Sequence, residues 1–187
     1  MRPSFLAAVL ASAFATGASA QDWEVDGGTL TYTVTHTLHV VHGGTHDVRG
    51  SVVCGRTCDV LAAAAVDSFA SGDSNRDLHM LQIVRGAAHP AVAVQIVEFP
   101  LPSDHAGATL VDLDVSFAGK RHVYKGASVR TELVKGLLRV QGVVPLRLTD
   151  FGVERPAFLA MPIKDECPVE FDIRWRRKTA RPGNAGR

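Results

Sequence analysis

Most of the chain alternates between apolar and polar positions with a period of two. Leu30, Tyr32, Val34 and His36 share one face, and Thr29, Thr31, Thr33 and Thr35 the other. Val92, Val94 and Ile96 repeat the pattern, as do Val111, Leu113, Val115 and Phe117 against Asp112, Asp114 and Ser116. Ala127, Val129, Thr131 and Leu133 follow, then Leu138, Val140 and Val144. Val169, Phe171, Ile173 and Trp175 close the series opposite Glu170, Asp172, Arg174 and Arg176. Side chains two apart on an extended chain point the same way, so each segment predicts a strand buried on one face. Parallel sheets are apolar on both faces, so the sheet is antiparallel, a sandwich or barrel of short strands.

One segment breaks the alternation. Between the strand-like runs Val60–Ala70 and Val92–Phe99, a helix is predicted with Ser74 as its cap and Asp77 three positions on. Leu78, Leu81 and Val84 form its expected buried stripe, and Gly86 its stop.

The first twenty residues read as an export signal. Arg2 precedes an apolar run, Phe5 to Ala15, which is shorter than the roughly 20 residues a bilayer span needs. Ala18-Ser19-Ala20 offers a cleavage site that leaves Gln21 as the mature N-terminus. An uncleaved membrane anchor is the competing reading, disfavoured by the short run and the small-residue exit. Gln21 in place of a cysteine directly after the cleavage site gives no indication of lipid attachment there, and no later segment has the length and apolarity of a transmembrane helix. The expectation is a soluble periplasmic protein, with one domain over residues 21–176 and a basic disordered tail over 177–187.

Charge and composition narrow the function. Of 187 residues, 46% are hydrophobic and 21% charged, ordinary globular values that argue against wholesale disorder. The formal net charge of +1 and an aromatic content of 6% give no footprint for nucleic acid. Cys54 and Cys58 flank a short loop between two apolar runs, which predicts a hairpin disulfide in an oxidising compartment. A zinc site is the weaker reading, because no second ligand pair has matching spacing. Cys167 is the odd thiol, read as inert in preference to intermolecular pairing.

Candidate chemistry is sparse. No nucleophile-elbow, zinc-hydrolase or phosphate-loop motif occurs, so the chain is not read as an enzyme and no cofactor is expected. His36, His39, His42 and His46 are clustered, but along one strand His36 and His42 share a face while His39 points away. A copper or zinc module on His36, His39 and His42 is therefore a secondary alternative.

Several motifs occur together in one order. Trp23-Glu24-Val25-Asp26 leads into Leu30-Thr31-Tyr32-Thr33-Val34-Thr35-His36, and Arg76-Asp77-Leu78-His79-Met80 opens the helix. Ala88-His89-Pro90 precedes a strand, Leu148-Thr149-Asp150-Phe151-Gly152 comes late, and Val169 to Trp175 closes the chain. From Trp23 to Trp175 this resembles the YceI family of exported, polyisoprenoid-binding proteins, with its W-x-I-D opening and its R-D-x-H-L signature. Departures are Ala118-Gly119-Lys120-Arg121-His122-Val123 and Gln82-Ile83-Val84-Arg85, together with the hairpin cysteines and the histidine cluster. They bear on the ligand more than on the fold.

The resemblance implies an all-β fold, an antiparallel lipocalin-like barrel of about eight strands with one short helix packed against it. It also implies a lipid partner, an isoprenoid-like amphiphile carried or sequestered in the barrel. Strand parity then selects Tyr32, Val34, His36, Phe69, Val94, Ile96, Val115, Phe117, Val140 and Phe171 as expected cavity lining. Arg76, Asp77 and His79 are expected to anchor the helix. Plain core is the alternative for each lining residue, and a surface-binding stress or adhesion protein with a filled barrel the alternative for the whole. Edge strands leave a homodimer open.

Overall fold

The computed structural model describes residues 21–100, 107–158 and 160–178. The expected signal segment, and the tail beyond Lys178, lie outside these residues. Long strands dominate: β1 (Gln21–Thr35), β2 (Val40–Thr45), β3 (Val48–Cys54), β4 (Cys58–Ala65), β5 (Ala91–Phe99) and β6 (Gly107–Phe117). They continue in β7 (Lys120–Val134), β8 (Leu137–Val144), the two-residue β9 (Ala157–Phe158) and β10 (Met161–Pro162), and β11 (Val169–Arg177). The helix α1 (Ser74–Ile83) lies between β4 and β5.

Every strand pairing is antiparallel. From β3 through β8 each strand pairs with the next, and β11 and β1 complete the ring. Closure comes from Trp23 to Tyr32 on β1 against Arg177 to Val169 on β11. The other edge of β1 is shared, Gln21 to Glu24 pairing with β3 and Leu30 to Thr35 with β2. The result is a closed eight-stranded barrel, a size whose interior holds packed side chains or one small ligand. Among the described residues no helix is long and apolar enough to cross a membrane.

Tight connections set the registers. The β6–β7 turn places Ala118 at φ 48° and Gly119 at φ 80°, and the β7–β8 turn places Lys135 at φ 50° and Gly136 at φ 81°. Two consecutive left-handed residues are the signature of type I′ hairpins, whose twist matches that of the strands. A Cβ on Gly119 would also lie 2.5 Å from the His89 ring. The β3–β4 hairpin carries the Cys54–Cys58 disulfide.

Several local expectations are corrected. Asp73, not Ser74, caps α1, accepting from the amides of Asn75 (3.0 Å) and Arg76 (3.1 Å). An ionised carboxylate at the positive end of the helix dipole is a stronger acceptor than a hydroxyl. Asp77 instead turns back to Ser71, accepting from its amide at 3.0 Å and its hydroxyl at 2.5 Å. Leu78 is 57% exposed, so it is not in the buried stripe. Met80, Leu81 and Ile83 pack on the core and Val84 belongs to it. The helix ends before Gly86: Arg85 takes the left-handed conformation (φ 57°), its amide reaching the Gln82 carbonyl while that of Gly86 reaches Leu81. This is a Schellman closure with arginine where glycine is usual, and Arg85 donates onward to the Ala118 carbonyl at 2.7 Å. The run expected to be extended through Ala70 leaves the sheet at Ala65 for a 3₁₀ turn, Val66–Ser68. The barrel continues past residue 176, since Arg177 pairs with Trp23 and the Lys178 amide donates to the Asp22 carbonyl.

Candidate functional site

The strands set where the interior is solid and where it is open. Buried side chains fill much of the barrel, with Trp23, Val52, Leu113, Val129, Leu138 and Trp175 among the most enclosed. Beside them is a cavity of about 300 Å³. It draws on both sides of the ring, on α1 and on the irregular segment between β8 and β11. Its exposed lining residues are His39, Arg76 and His79, which place its mouth at the end of the barrel where the β1–β2 turn and α1 lie.

Tyr32, Val34, His36, Phe69, Val94, Ile96, Val115, Phe117, Val140 and Phe171 all line this one cavity. Alternation along β1, β5, β6, β8 and β11 brings them to a common interior, and Phe69 enters from the turn after β4, its ring 6.0 Å from that of Tyr32. The same parity on β11 also delivers Val169, Ile173 and Trp175. Leu146, Leu148, Val153, Ile163 and Cys167 line it as well, from a segment without periodicity, so no sequence signal marked them.

Polar groups gather near the mouth. Arg76 donates from Nε to the Ser71 hydroxyl (2.8 Å) and from its terminal nitrogen to the Ser71 carbonyl (3.1 Å). With Asp77 on the same serine, this network ties the start of α1 to the preceding loop. Arg76 and His79 also line the cavity, whereas Asp77 does not. Burial raises the Tyr32 phenol above its ordinary pKa, and the nearby Asp77 carboxylate raises it further, against opposing pulls from Arg76 and a Ser71 hydrogen bond. Burial alone pushes the Cys167 thiol to about 11, so it is a protonated, apolar part of the wall at neutral pH.

The irregular wall is held by a second network. The Tyr124 hydroxyl donates to Asp150 at 3.0 Å and accepts from the Arg147 amide at 3.1 Å. Its pKa is pushed up to about 12, mainly by burial, with the Asp150 contact adding to it and the Arg147 amide opposing. Asp165 accepts from the Thr149 hydroxyl (2.7 Å), the Thr149 amide (3.0 Å) and Arg147 Nε (3.0 Å). Burial pushes the Asp165 carboxyl upward, but these bonds from Thr149 and Arg147 win and hold it below its ordinary value.

Two of the clustered histidines are engaged with other groups. His36 Nε2 donates to the Met161 carbonyl at 3.1 Å, and its Nδ1 accepts from the Leu38 amide at 3.2 Å. One ring nitrogen thus holds the β1–β2 turn and the other ties it to β10. His42 Nδ1 is 3.0 Å from the Thr33 hydroxyl on the exposed strand surface. Among the described residues no group of three or more His, Cys, Asp or Glu side chains is arranged to hold a metal ion.

Solved structures share this architecture. A polyisoprenoid binding domain from Saccharophagus degradans implicated in plant cell wall breakdown superposes with a TM-score of 0.70 at 13% identity, over 83% of this chain and 98% of its own. Burkholderia cenocepacia BcnA matches with a TM-score of 0.64 at 13% identity, over 79% of this chain and 95% of its own. The Campylobacter jejuni YceI protein gives 0.54 at 11% identity, over 78% and 90%. No protein-family model matches the chain, and no curated protein matches it. In fold the chain is therefore similar to these proteins, a closed antiparallel lipocalin-like barrel with one helix.

Proposed function

We propose that this protein binds an isoprenoid-like amphiphile in its barrel, as a carrier or sequestering protein exported to the periplasm. The observation that carries the reading is the cavity itself, a space walled mainly by aliphatic and aromatic side chains, with Arg76 the only Lys, Arg, Asp or Glu among its described lining residues. Its fold is shared with a polyisoprenoid binding domain, which supports the ligand class. Burial of hydrocarbon is worth about 0.8 kcal/mol per methylene, so one five-carbon unit contributes about 4 kcal/mol. A few such units reach micromolar affinity after the cost of association. A volume of about 300 Å³ is at the small end of the roughly 300–1,000 Å³ range for ligand pockets, so part of a long chain would extend through the mouth. The leader-like residues 1–20 and the Cys54–Cys58 disulfide support export.

Organic extraction of the protein purified from a periplasmic fraction, followed by mass spectrometry, tests the reading. Near-stoichiometric copurifying long-chain lipid is expected. Lipid-free protein that also fails to take up isoprenoid alcohols would overturn it.

A further inference from the structure

Two glycines face the barrel interior where an aromatic ring lies against the strand. Gly43 on β2 pairs directly with Tyr32 on β1, and Gly142 on β8 pairs directly with Phe171 on β11. Both fall on the inward parity of their strands, since Val41, Val140 and Val144, each two residues away from one of them, line the cavity. A Cβ on Gly43 would lie 2.6 Å from Cε1 of Tyr32 and closer still to its Cζ and hydroxyl oxygen. A Cβ on Gly142 would lie 2.6 Å from Cζ of Phe171 and 3.0 Å from its Cε1. Carbon atoms in contact rest about 3.5–4.0 Å apart, so neither ring can keep its place beside an alanine. Each glycine is thus a niche into which a ring folds sideways along the wall.

The direction of any displacement is set by what surrounds each ring. The three atoms nearest the missing Gly43 Cβ all belong to the Tyr32 side chain, so the ring yields before the sheet does. Tyr32 and Phe171 both line the cavity, and a ring pushed off its strand has that space before it. At Gly142 the Ser128 carbonyl, 3.1 Å from the missing Cβ, adds a backbone constraint, which makes Gly43 the cleaner position.

We infer that Gly43 and Gly142 set the bore of the cavity, and with it the selection of methyl-branched over straight hydrocarbon chains. The space is about 300 Å³, and inserting further atoms into a packed interior is destabilising. A ring intruding from either wall therefore excludes a branched chain before a straight one. The inference rests on the ligand-binding reading and adds to it the residues that decide the girth of the guest.

The test uses farnesol and dodecanol, alcohols with main chains of equal length, of which only farnesol carries methyl branches. Binding of each is measured by calorimetric titration, with circular dichroism confirming that every variant keeps its barrel. Gly43→Ala should weaken farnesol binding about tenfold and dodecanol binding by less than about threefold, and Gly142→Ala should act in the same sense. In Tyr32→Leu protein the further change Gly43→Ala should leave farnesol binding unaltered, because no ring remains to be displaced. That comparison decides the matter even if the single alanine variant misfolds. Equal effects on the two alcohols, no effect on farnesol, or a loss of farnesol binding that persists in the Tyr32→Leu background would overturn the inference while the cavity reading stands. If the unaltered protein binds neither alcohol, both fall.

Discussion

Asp165 shows how one side chain sets the shape of the cavity wall. It accepts three hydrogen bonds, two of them from Thr149, and so fixes the loop that delivers Leu146 and Leu148 to the lining. Because its folded pKa is depressed, the folded state binds fewer protons there than the unfolded chain. The associated stability is complete above the ordinary aspartate value, about 3.9, and is lost as pH falls through the lower folded value. Asp165→Asn should therefore cost about 1–3 kcal/mol in urea unfolding at pH 7, with the gap to the parent narrowing below about pH 4. Asp114 and Asp172 are held down in the same sense, first by hydrogen bonds from Arg121 and Arg139. Those two carboxylates are more exposed than Asp165, so their contribution is smaller. None of this was legible in the sequence, where Asp165 is one acid in an irregular stretch. Its partners are 16 and 18 residues away and meet it only through the fold.

Among the elements, strand faces were readable and ends were not. Strand alternation turns Tyr32, Val34, Val94, Ile96, Val115, Phe117, Val140 and Phe171 to one interior, whereas Phe69 reaches it from a turn that parity does not describe. The helix was placed correctly between β4 and β5, yet its cap, its stop and its buried stripe each differed from the sequence expectation. Caps depend on which neighbouring acceptor reaches the amides first, and here Asp73 does. Asp73→Ala should destabilise the protein by about 1 kcal/mol, read as a lower urea midpoint with unchanged slope. The type I′ turns were also missed, because Ala118-Gly119 and Lys135-Gly136 lack the Asn-Gly or Asp-Gly pair that marks such hairpins. Lys135→Asn supplies that pair at φ 50° and should stabilise by about 0.5 kcal/mol or more, visible as a raised Tm.

For the molecule as a whole, stability is expected to come from ring closure and core packing more than from the covalent link. The Cys54–Cys58 bridge spans four residues of sequence at the tip of one hairpin, so in the chain-entropy model it contributes only about 2 kcal/mol. Reduction should lower the unfolding free energy by about that amount, read as a lower urea midpoint, and leave the far-ultraviolet circular dichroism of the barrel intact at room temperature. Through its alternation the amino-acid sequence by itself determined an antiparallel sheet of one-sided strands, and with the family motifs it indicated a barrel with one helix. Whether that barrel is hollow was decided only in three dimensions. Periodicity specifies which way a side chain points, but a void depends on the summed volumes of residues from strands as distant as β1 and β11. The same holds for His36, whose place in the alternation gave a direction, while only the fold supplied the backbone groups that its two ring nitrogens meet.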